Sequence, residues 1–556
     1  MMMSATGEVR AAAGQAAAPA ISDGCSTLTG FQAEGVTIVT AQTQPAQDPV
    51  AGVKIFDLTG QAPDGMPVAG LPSFCRIVGR IMPEQGSNIG FEVWMPTTRW
   101  DGRLHGVGVG GFAGYVDHMM LALAVKGGQV GVATDTGHDS TASGWPSADS
   151  SWARGHPQRV RDYGWRAVHL STIAAKQLIR AFYGRDADRS YFVGCSGGGR
   201  QGLIEASRFP DDYDGIVAGA PAASLTDLAI VMSLSIQSQK APGAAIRPEQ
   251  GQLVQDEVIR QCDAGDGQVD GLVADPRQCR FDVSKLACGT SKSDQCFSPP
   301  QITALKKIYA GPRDAAGRQL TAAYLPAGSE VSTPFPFLGW DAYIWEGSPQ
   351  KPTSNALAGG FLGDFIDKPF ATPETFDFDT DPARLKAALS NDLDASPDLS
   401  RFFARGGKLI TWHGWADAAI PPEGTLWYHE AMLRQSGEKA KDSSRLFMVP
   451  GVQHCVGGNG PWSFGQLNAP QEGDSRANSM VAALQDWVEK DVRPDSLIGR
   501  SDPGGALGFP AQKPEGQRLL CAWPRKAVLR AGGDPRNPAS YSCTGSHAAS
   551  TEMPRD

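Results

Sequence analysis

The sequence predicts an α/β fold, a parallel sheet with helices between its strands and one large insertion. Three observations predict it. First, three segments share one pattern, a short apolar run ending at a polar residue in a tight turn. They are "RSYFVGCS" at 189–196, "GGKLITWHGWAD" at 406–417 and "SRLFMVPGVQHC" at 444–455. Runs rich in β-branched and aromatic residues suit strands covered on both faces. Second, the order around the first segment is helix, strand, serine, helix, strand, the grammar of βαβ units. Third, this alternation is lost between residues 223 and 395 and resumes at "GGKLITW".

The elements follow in chain order. Residues 1–24 are expected to be a flexible N-terminal segment; they hold alanines but no continuous apolar core of a signal peptide. "YGWRAVHLSTIAAKQLIRAFYG" at 163–184 reads as an amphipathic helix, with Leu170, Ala174, Leu178 and Ala181 at helical spacing. After Ser196, "GRQGLIEASRFP" reads as a helix ending at Pro210, and "DGIVAGAP" as the next strand. Residues 223–395, rich in proline, glycine and scattered aromatics, read as an inserted lid domain, and residues 25–222 and 396–556 as the catalytic domain. The tail after about residue 500 is Pro/Gly-rich, with Cys521 and Cys543 placed to tie it down.

Composition limits the partners. A net charge of −9, a pI near 5.6 and no basic block speak against nucleic acid and anionic membranes. The most apolar stretch is interrupted by Pro221 and Asp227, so no membrane-spanning helix is expected. Ten cysteines without a CxxC argue against zinc ribbons and thioredoxin-like chemistry. Disulfides, and hence a secreted or periplasmic location, are the expectation.

Gly194-Cys195-Ser196-Gly197-Gly198 fits G-x-S-x-G, which puts a serine on a strained strand-to-helix turn. A serine hydroxyl needs a base, and the base needs an acid to orient it. His454 and Asp417 each follow a predicted strand, and the order Ser196, Asp417, His454 is that of the α/β-hydrolase fold, which becomes the fold expectation. His413, four residues before Asp417, reads as a supporting histidine. His105 and His138 read as packing histidines, and Asp211, Asp212 and Asp214 as turn formers. The N–H of Gly197 is a candidate oxyanion donor, joined by that of Gly110 or Gly111 in "RLHGVGVGGFAG"; the residues do not choose between the two.

Cys195 precedes the serine and Cys455 follows the histidine. If Ser196 and His454 hydrogen-bond, their neighbours come close, so a Cys195–Cys455 disulfide would clamp nucleophile and base. In "CDAGDGQVDGLVADPRQC" at 262–279, Asp263, Asp266 and Asp270 are spaced by glycines. Such a run suits Ca²⁺, or is an acidic solvated turn; its spacing is not that of an EF-hand.

Serine and histidine each beside a cysteine, in Ser…Asp…His order, resembles the tannase/feruloyl esterase family, which includes mono(hydroxyethyl) terephthalate hydrolases. The likeness runs from about Cys25 to Cys543 and includes "WDGR", "GGFAG", "YGWRAVH", "GCSGGGRQG" and "DGIVAGAPA". The resemblance implies the further pairs Cys25–Cys75, Cys262–Cys279, Cys288–Cys296 and Cys521–Cys543. It also implies a structural Ca²⁺ in the lid, held by Asp263, Asp266 and Asp270 with the carbonyls of Gln268 and Leu272.

By the same resemblance the lid forms an acyl pocket. Its aromatics are Phe335, Phe337, Trp340, Tyr343, Trp345, Phe361 and Phe365, of which Trp340 and Trp345, with Ile420 after Asp417, are the expected pocket residues. The implied activity is hydrolysis of a small aromatic, feruloyl-type ester through an acyl-enzyme. Gallate esters or a terephthalate monoester are the alternative substrates. No arginine lies between Arg318 and Arg384 to hold a free terephthalate carboxylate. A non-catalytic, calcium-dependent polyphenol- or carbohydrate-binding protein is the contrasting reading, and the oligomeric state is left open.

Overall fold

A computed structural model describes residues 24–46, 70–141, 143, 146–289, 295–335, 337–348, 350–501 and 516–547. The N-terminal segment expected to be flexible lies outside these residues except for Gly24. Nine strands form one sheet: β1 (Val36–Gln44), β2 (Phe74–Ile81), β3 (Ile89–Pro96), β4 (Arg103–Val107), β5 (Val130–Thr134), β6 (Arg189–Cys195), β7 (Gly215–Gly219), β8 (Lys408–Gly414) and β9 (Ser444–Val449). Their spatial order is β1-β2-β3-β5-β4-β6-β7-β8-β9. The neighbours from β5 to β9 are parallel. β1, β2 and β3 extend the sheet antiparallel. The fold is therefore an α/β-hydrolase with an antiparallel N-terminal extension.

The continuous apolar runs are explained by burial on both faces. Tyr191, Val193, Val217, Ile410, Trp412 and Phe447 pack against Met480, Leu484 and Trp487 of the helix Met480–Lys490. Their strand neighbours Phe192, Ile216, Ala218 and Leu409 point the other way, onto Leu203 and Ile204 of the helix Gly197–Arg208. This is the period-two alternation of a strand with a hydrophobic layer on each side. Each fully buried large apolar side chain contributes about 1.5–3 kcal/mol.

The expected amphipathic helix spans Ala167–Tyr183. Its buried stripe differs from the reading above: Ala174, Leu178, Ile179 and Phe182 are buried, Leu170 is half-buried and Ala181 is exposed. A π-helical turn at Asp162–Arg166 precedes it, and packing sets the stripe: Ala174, Leu178, Ile179 and Phe182 join one core cluster with Ile77, Phe91 and Val132 of the sheet.

Between β7 and β8 the chain forms a large helical insertion, including Leu225–Ser238, Pro248–Cys262, Pro299–Ala310, Thr353–Leu362 and Asp381–Leu393. At its neck the N–H of Ala395 donates to the carbonyl of Ala223 at 2.8 Å. All ten cysteines are paired, as Cys25–Cys75, Cys195–Cys455, Cys262–Cys279, Cys288–Cys296 and Cys521–Cys543. No helix among the described residues is long and apolar enough to cross a membrane.

Candidate active site

Ser196 stands between the end of β6 and the start of the helix Gly197–Arg208, with φ +63° and ψ −122°. That backbone is unusual for a residue with a side chain and costs roughly 1–3 kcal/mol. Its neighbours hold it there. The Ser196 N–H donates to the Gly219 carbonyl at 2.9 Å, and its own carbonyl accepts from Arg200 at 3.0 Å and Ala222 at 3.2 Å. A Cβ on Gly194 would lie 2.5 Å from the Gly198 carbonyl carbon, so the first glycine of the motif is required by the close approach of strand and helix.

Asp417 follows β8 and is buried. Its Oδ2 lies 2.8 Å from His454 Nδ1 and 3.0 Å from His413 Nε2, while Oδ1 accepts the N–H groups of Ala419 at 2.8 Å and Ile420 at 2.9 Å. Burial alone would raise this carboxyl, but the charge of His454 and the hydrogen bonds from both histidines outweigh it, and Asp417 is held well below the usual carboxylate range. His454 sits in the loop after β9, and Cys455, at φ +65°, is tied to Cys195 with Cα atoms 6.0 Å apart. Ser196 and His454 line one cavity. No hydrogen bond joins them among those of the described residues, in contrast to the bond expected above; such bonds are often long before substrate binds.

The cavity has a volume of about 270 Å³. Gly197, Gly110 and Gly111 all border it, and their N–H groups have no acceptor among the described residues. Gly111 is fixed by its surroundings: its φ is +55°, Tyr163 Oη donates to its carbonyl at 2.9 Å, and the next N–H, of Phe112, donates to the Ser147 carbonyl at 2.8 Å. Of the aromatics expected from the insertion, Phe337, Tyr343 and Phe361 line the cavity, as does Ile420, and the Tyr343 ring lies 6.0 Å from that of His454.

Trp340 and Trp345 are corrections. Both are fully buried away from the cavity, packed against each other at 4.9 Å, with Trp345 Nε1 donating to the Glu330 carbonyl. An indole fills a core as readily as a pocket, and sequence spacing does not separate the two. Phe335 packs on Trp462, and Phe365 on Phe112 and Trp152, in the same structural role. The reading above missed Phe112, Tyr115, Asp117 and Met120, which enter the cavity from the chain after β4, and Tyr163 from the π-turn. The aromatic residues directly after the "GVGVGG" turn were the available signal.

His105 is buried and lowered to about 4 by desolvation. His138 is lowered to about 3 by burial and stacks on Trp152 at 3.7 Å. Asp212 is more than a turn former: its Oδ2 lies 2.6 Å from His169 Nδ1. With buried Glu205 these two offer ligand atoms within 4.8 Å of one another, a buried His/Glu/Asp cluster able to hold a metal ion. Burial, then the charge of Asp212, pushes the Glu205 carboxyl upward, so a proton shared between the carboxyls satisfies the same geometry.

In the loop expected to bind calcium, Asp263, Asp266 and Asp270 do not form a comparably close set among the described residues. Asp263 accepts the N–H groups of Asp270 and Gly271, and Asp266 that of Gln268. Asp270 is paired with Arg518 at 3.0 Å. A larger cavity of about 820 Å³ lies between this loop and the C-terminal strands and shares no lining residue with the cavity at Ser196.

A serine on a strained elbow, an acid–histidine pair and N–H groups around one apolar cavity form the arrangement that serine-dependent ester hydrolysis requires. The family model described as tannase and feruloyl esterase matches residues 75–544. The chain is 34% identical to an uncharacterized esterase of Xanthomonas campestris pv. campestris, over 94% of this chain and 91% of that protein. It is 33% identical to a mono(2-hydroxyethyl) terephthalate hydrolase of Piscinibacter sakaiensis, over 87% and 86%. The crystal structure of feruloyl esterase B from Aspergillus oryzae superposes with a TM-score of 0.80 at 25% identity, covering 94% of this chain and all of that one. The chain belongs to the tannase and feruloyl esterase family and is a carboxylic ester hydrolase.

Proposed function

We propose that the protein hydrolyses small esters of uncharged aromatic acids, of the hydroxycinnamoyl (feruloyl) type, through an acyl-enzyme on Ser196. The observation that carries this reading is the cavity lining, which is mostly aromatic and aliphatic and has no lysine or arginine among the described residues. A terephthalate monoester would bring a carboxylate into this space without a counter-ion, at a cost of several kcal/mol or a shift to its neutral form. Gallate esters are the second reading, favoured by Asp117, an acid on the lining that can accept from ring hydroxyls.

In this mechanism His454 Nε2 takes the proton of Ser196 Oγ as the oxygen attacks the ester carbonyl. Asp417 holds the imidazole by Nδ1 and balances its cationic form. The Gly197 N–H, with that of Gly110 or Gly111, receives the oxyanion. His454 then protonates the leaving alcohol, and water activated by the same imidazole releases the aromatic acid. The test is a panel of methyl ferulate, methyl gallate and mono(2-hydroxyethyl) terephthalate, with fluorophosphonate labelling mapped by mass. Labelling of Ser196 and a kcat/KM highest for ferulate support the reading. Preference for the terephthalate monoester overturns it.

We further take residues 223–395 as a lid domain, a reading supported by the contact of its two ends at Ala223 and Ala395. Ten paired cysteines favour an oxidising, secreted or periplasmic setting. Calcium at Asp263, Asp266 and Asp270 with the Gln268 and Leu272 carbonyls is retained as a structural proposal. Its support is Asp266, whose carboxyl is raised by burial and then by the charges of Asp270 and Asp263, a repulsion a cation would relieve. Binding there requires Arg518 to release Asp270. Calcium-dependent thermal stabilisation lost in Asp266→Asn, and not in Glu205→Gln, is the expected result.

A further inference from the structure

We propose that His413 is a positioning residue for the reaction, a second imidazole that sets the orientation and charge distribution of Asp417. The inference rests on the reading of Asp417 and His454 as the acid–base pair. His413 is the penultimate residue of β8 and is completely buried. It touches the same carboxylate oxygen as His454, with Nε2 at 3.0 Å from Asp417 Oδ2. Its other nitrogen lies 2.7 Å from the hydroxyl of Thr425, on the helix Pro422–Gln435. One neutral tautomer satisfies both contacts: Nε2–H donates to Asp417, and Nδ1 accepts from the Thr425 hydroxyl. The Asp417 carboxylate, which only accepts, places the proton on Nε2, and the Thr425 hydroxyl, able to donate or accept, then donates to Nδ1 and holds the ring.

The consequence follows from sharing one oxygen. Two backbone N–H groups hold Oδ1, from Ala419 and Ile420, and two imidazoles hold Oδ2. The carboxylate is thus fully solvated by protein in a buried site, where an unpaired charge would otherwise be costly. Each donor to Oδ2 draws on the same negative charge. His413 therefore shares the charge that Asp417 presents to the His454 imidazole and fixes the direction from which it acts.

The other titratable groups facing this pair come from the insertion and from the Thr425 helix. Tyr324 and Tyr343 feel the charge of Asp417, and burial first, then that charge, keeps both phenols neutral. His429 on the Thr425 helix is lowered to about 4 by burial, and Glu423 lies in its first turn. None of these donates to Asp417 among the described residues, where its partners are His413, His454 and the N–H groups of Ala419 and Ile420.

The experiment compares pH profiles of kcat/KM for His413→Phe, His413→Gln, Thr425→Val and Thr425→Ser, on a chromogenic aromatic ester, with kcat normalised to active sites titrated by fluorophosphonate. Glutamine can place an N–H near Nε2 of the imidazole. The expected result is a kcat at least tenfold lower in His413→Phe with its acid limb moved to higher pH, and both largely restored in His413→Gln. Thr425→Val shifts the limb in the same direction by a smaller amount, and Thr425→Ser does not. If His413→Phe fails to fold, the Thr425 pair carries the test. An unchanged acid limb and kcat per active site in His413→Phe, or in Thr425→Val where only that pair folds, overturns the proposal. Full activity of His454→Ala would instead overturn the underlying acid–base reading.

Discussion

Cys195 and Cys455 are bonded with their Cα atoms 6.0 Å apart, so the residue before Ser196 and the residue after His454 are covalently one unit. The bond closes a loop of 260 residues, nominally worth about 5 kcal/mol in the chain-entropy model. Its larger effect is on geometry, because small errors in placing reacting groups reduce rate steeply. The double variant Cys195→Ala/Cys455→Ala is expected to lose about two orders of magnitude in kcat/KM. Thermal melting and kinetics measured together check this: a large fall in Tm with unchanged kcat per active site would assign the bond to stability alone.

Ser196→Ala should abolish aromatic ester turnover without loss of fold, since Ser196 lines the cavity while the bonds that hold its turn are made by its backbone. Asp417→Asn should keep the contacts to Ala419 and Ile420 but lower kcat by about 10⁴, through the wrong imidazole tautomer. Stopped-flow kinetics with a chromogenic ester measure both, and a weak effect of Asp417→Asn would exclude it as the orienting acid.

Gly111→Ala tests the oxyanion loop. A Cβ there would lie 2.3 Å from the Ser147 carbonyl oxygen, and φ at +55° is strained for alanine. The loop has to move, and kcat is expected to fall by about 10²–10³ with little change in KM. A change in KM alone would show that the loop binds substrate without holding the oxyanion.

Glu330 gives a pH prediction for stability. It is fully buried, and burial raises its carboxyl to about 7 despite the hydrogen bond from Tyr309. A carboxyl raised in the folded state contributes stability below its unfolded value of 4.5 that is lost as pH rises towards 7. Glu330→Gln should therefore gain on the native protein as pH rises across that window, by up to about 3 kcal/mol. Denaturant titrations at pH 4.5, 6 and 8 measure the difference; a constant difference across pH would show that Glu330 does not titrate there.

His105 and His138 act in the opposite direction. Both are held neutral in the fold, at about 4 and about 3, so the unfolded chain binds the extra protons first. Their contribution is complete above the unfolded value of 6.5 and is lost progressively as pH falls below it. His105→Gln should flatten the acid side of the stability profile, which circular-dichroism melts between pH 4 and 7 would reveal.

Much of this protein was legible because its chemistry is local. Gly194-Cys195-Ser196-Gly197-Gly198 dictates a strained turn wherever it follows a strand, and β6, β7, β8 and β9 announced themselves through apolar runs that only two covered faces can bury. The acid and the histidine follow their strands in readable order. Other features arise only when distant segments meet. β1, β2 and β3 extend the sheet by antiparallel pairing, and although β3 is buried throughout and only β1 is widely exposed, their pairing depends on partners brought together by folding. Burial decided that Phe337, Tyr343 and Phe361 face the cavity while Trp340 and Trp345 fill the core. Folding likewise set Arg518 against Asp270, across 248 residues, and Thr425 behind His413. Residue type and order determined the fold class and nominated the reactive groups; which apolar ring faces the cavity, and which donor reaches Asp417, depended on packing between segments whose spacing carries no such information.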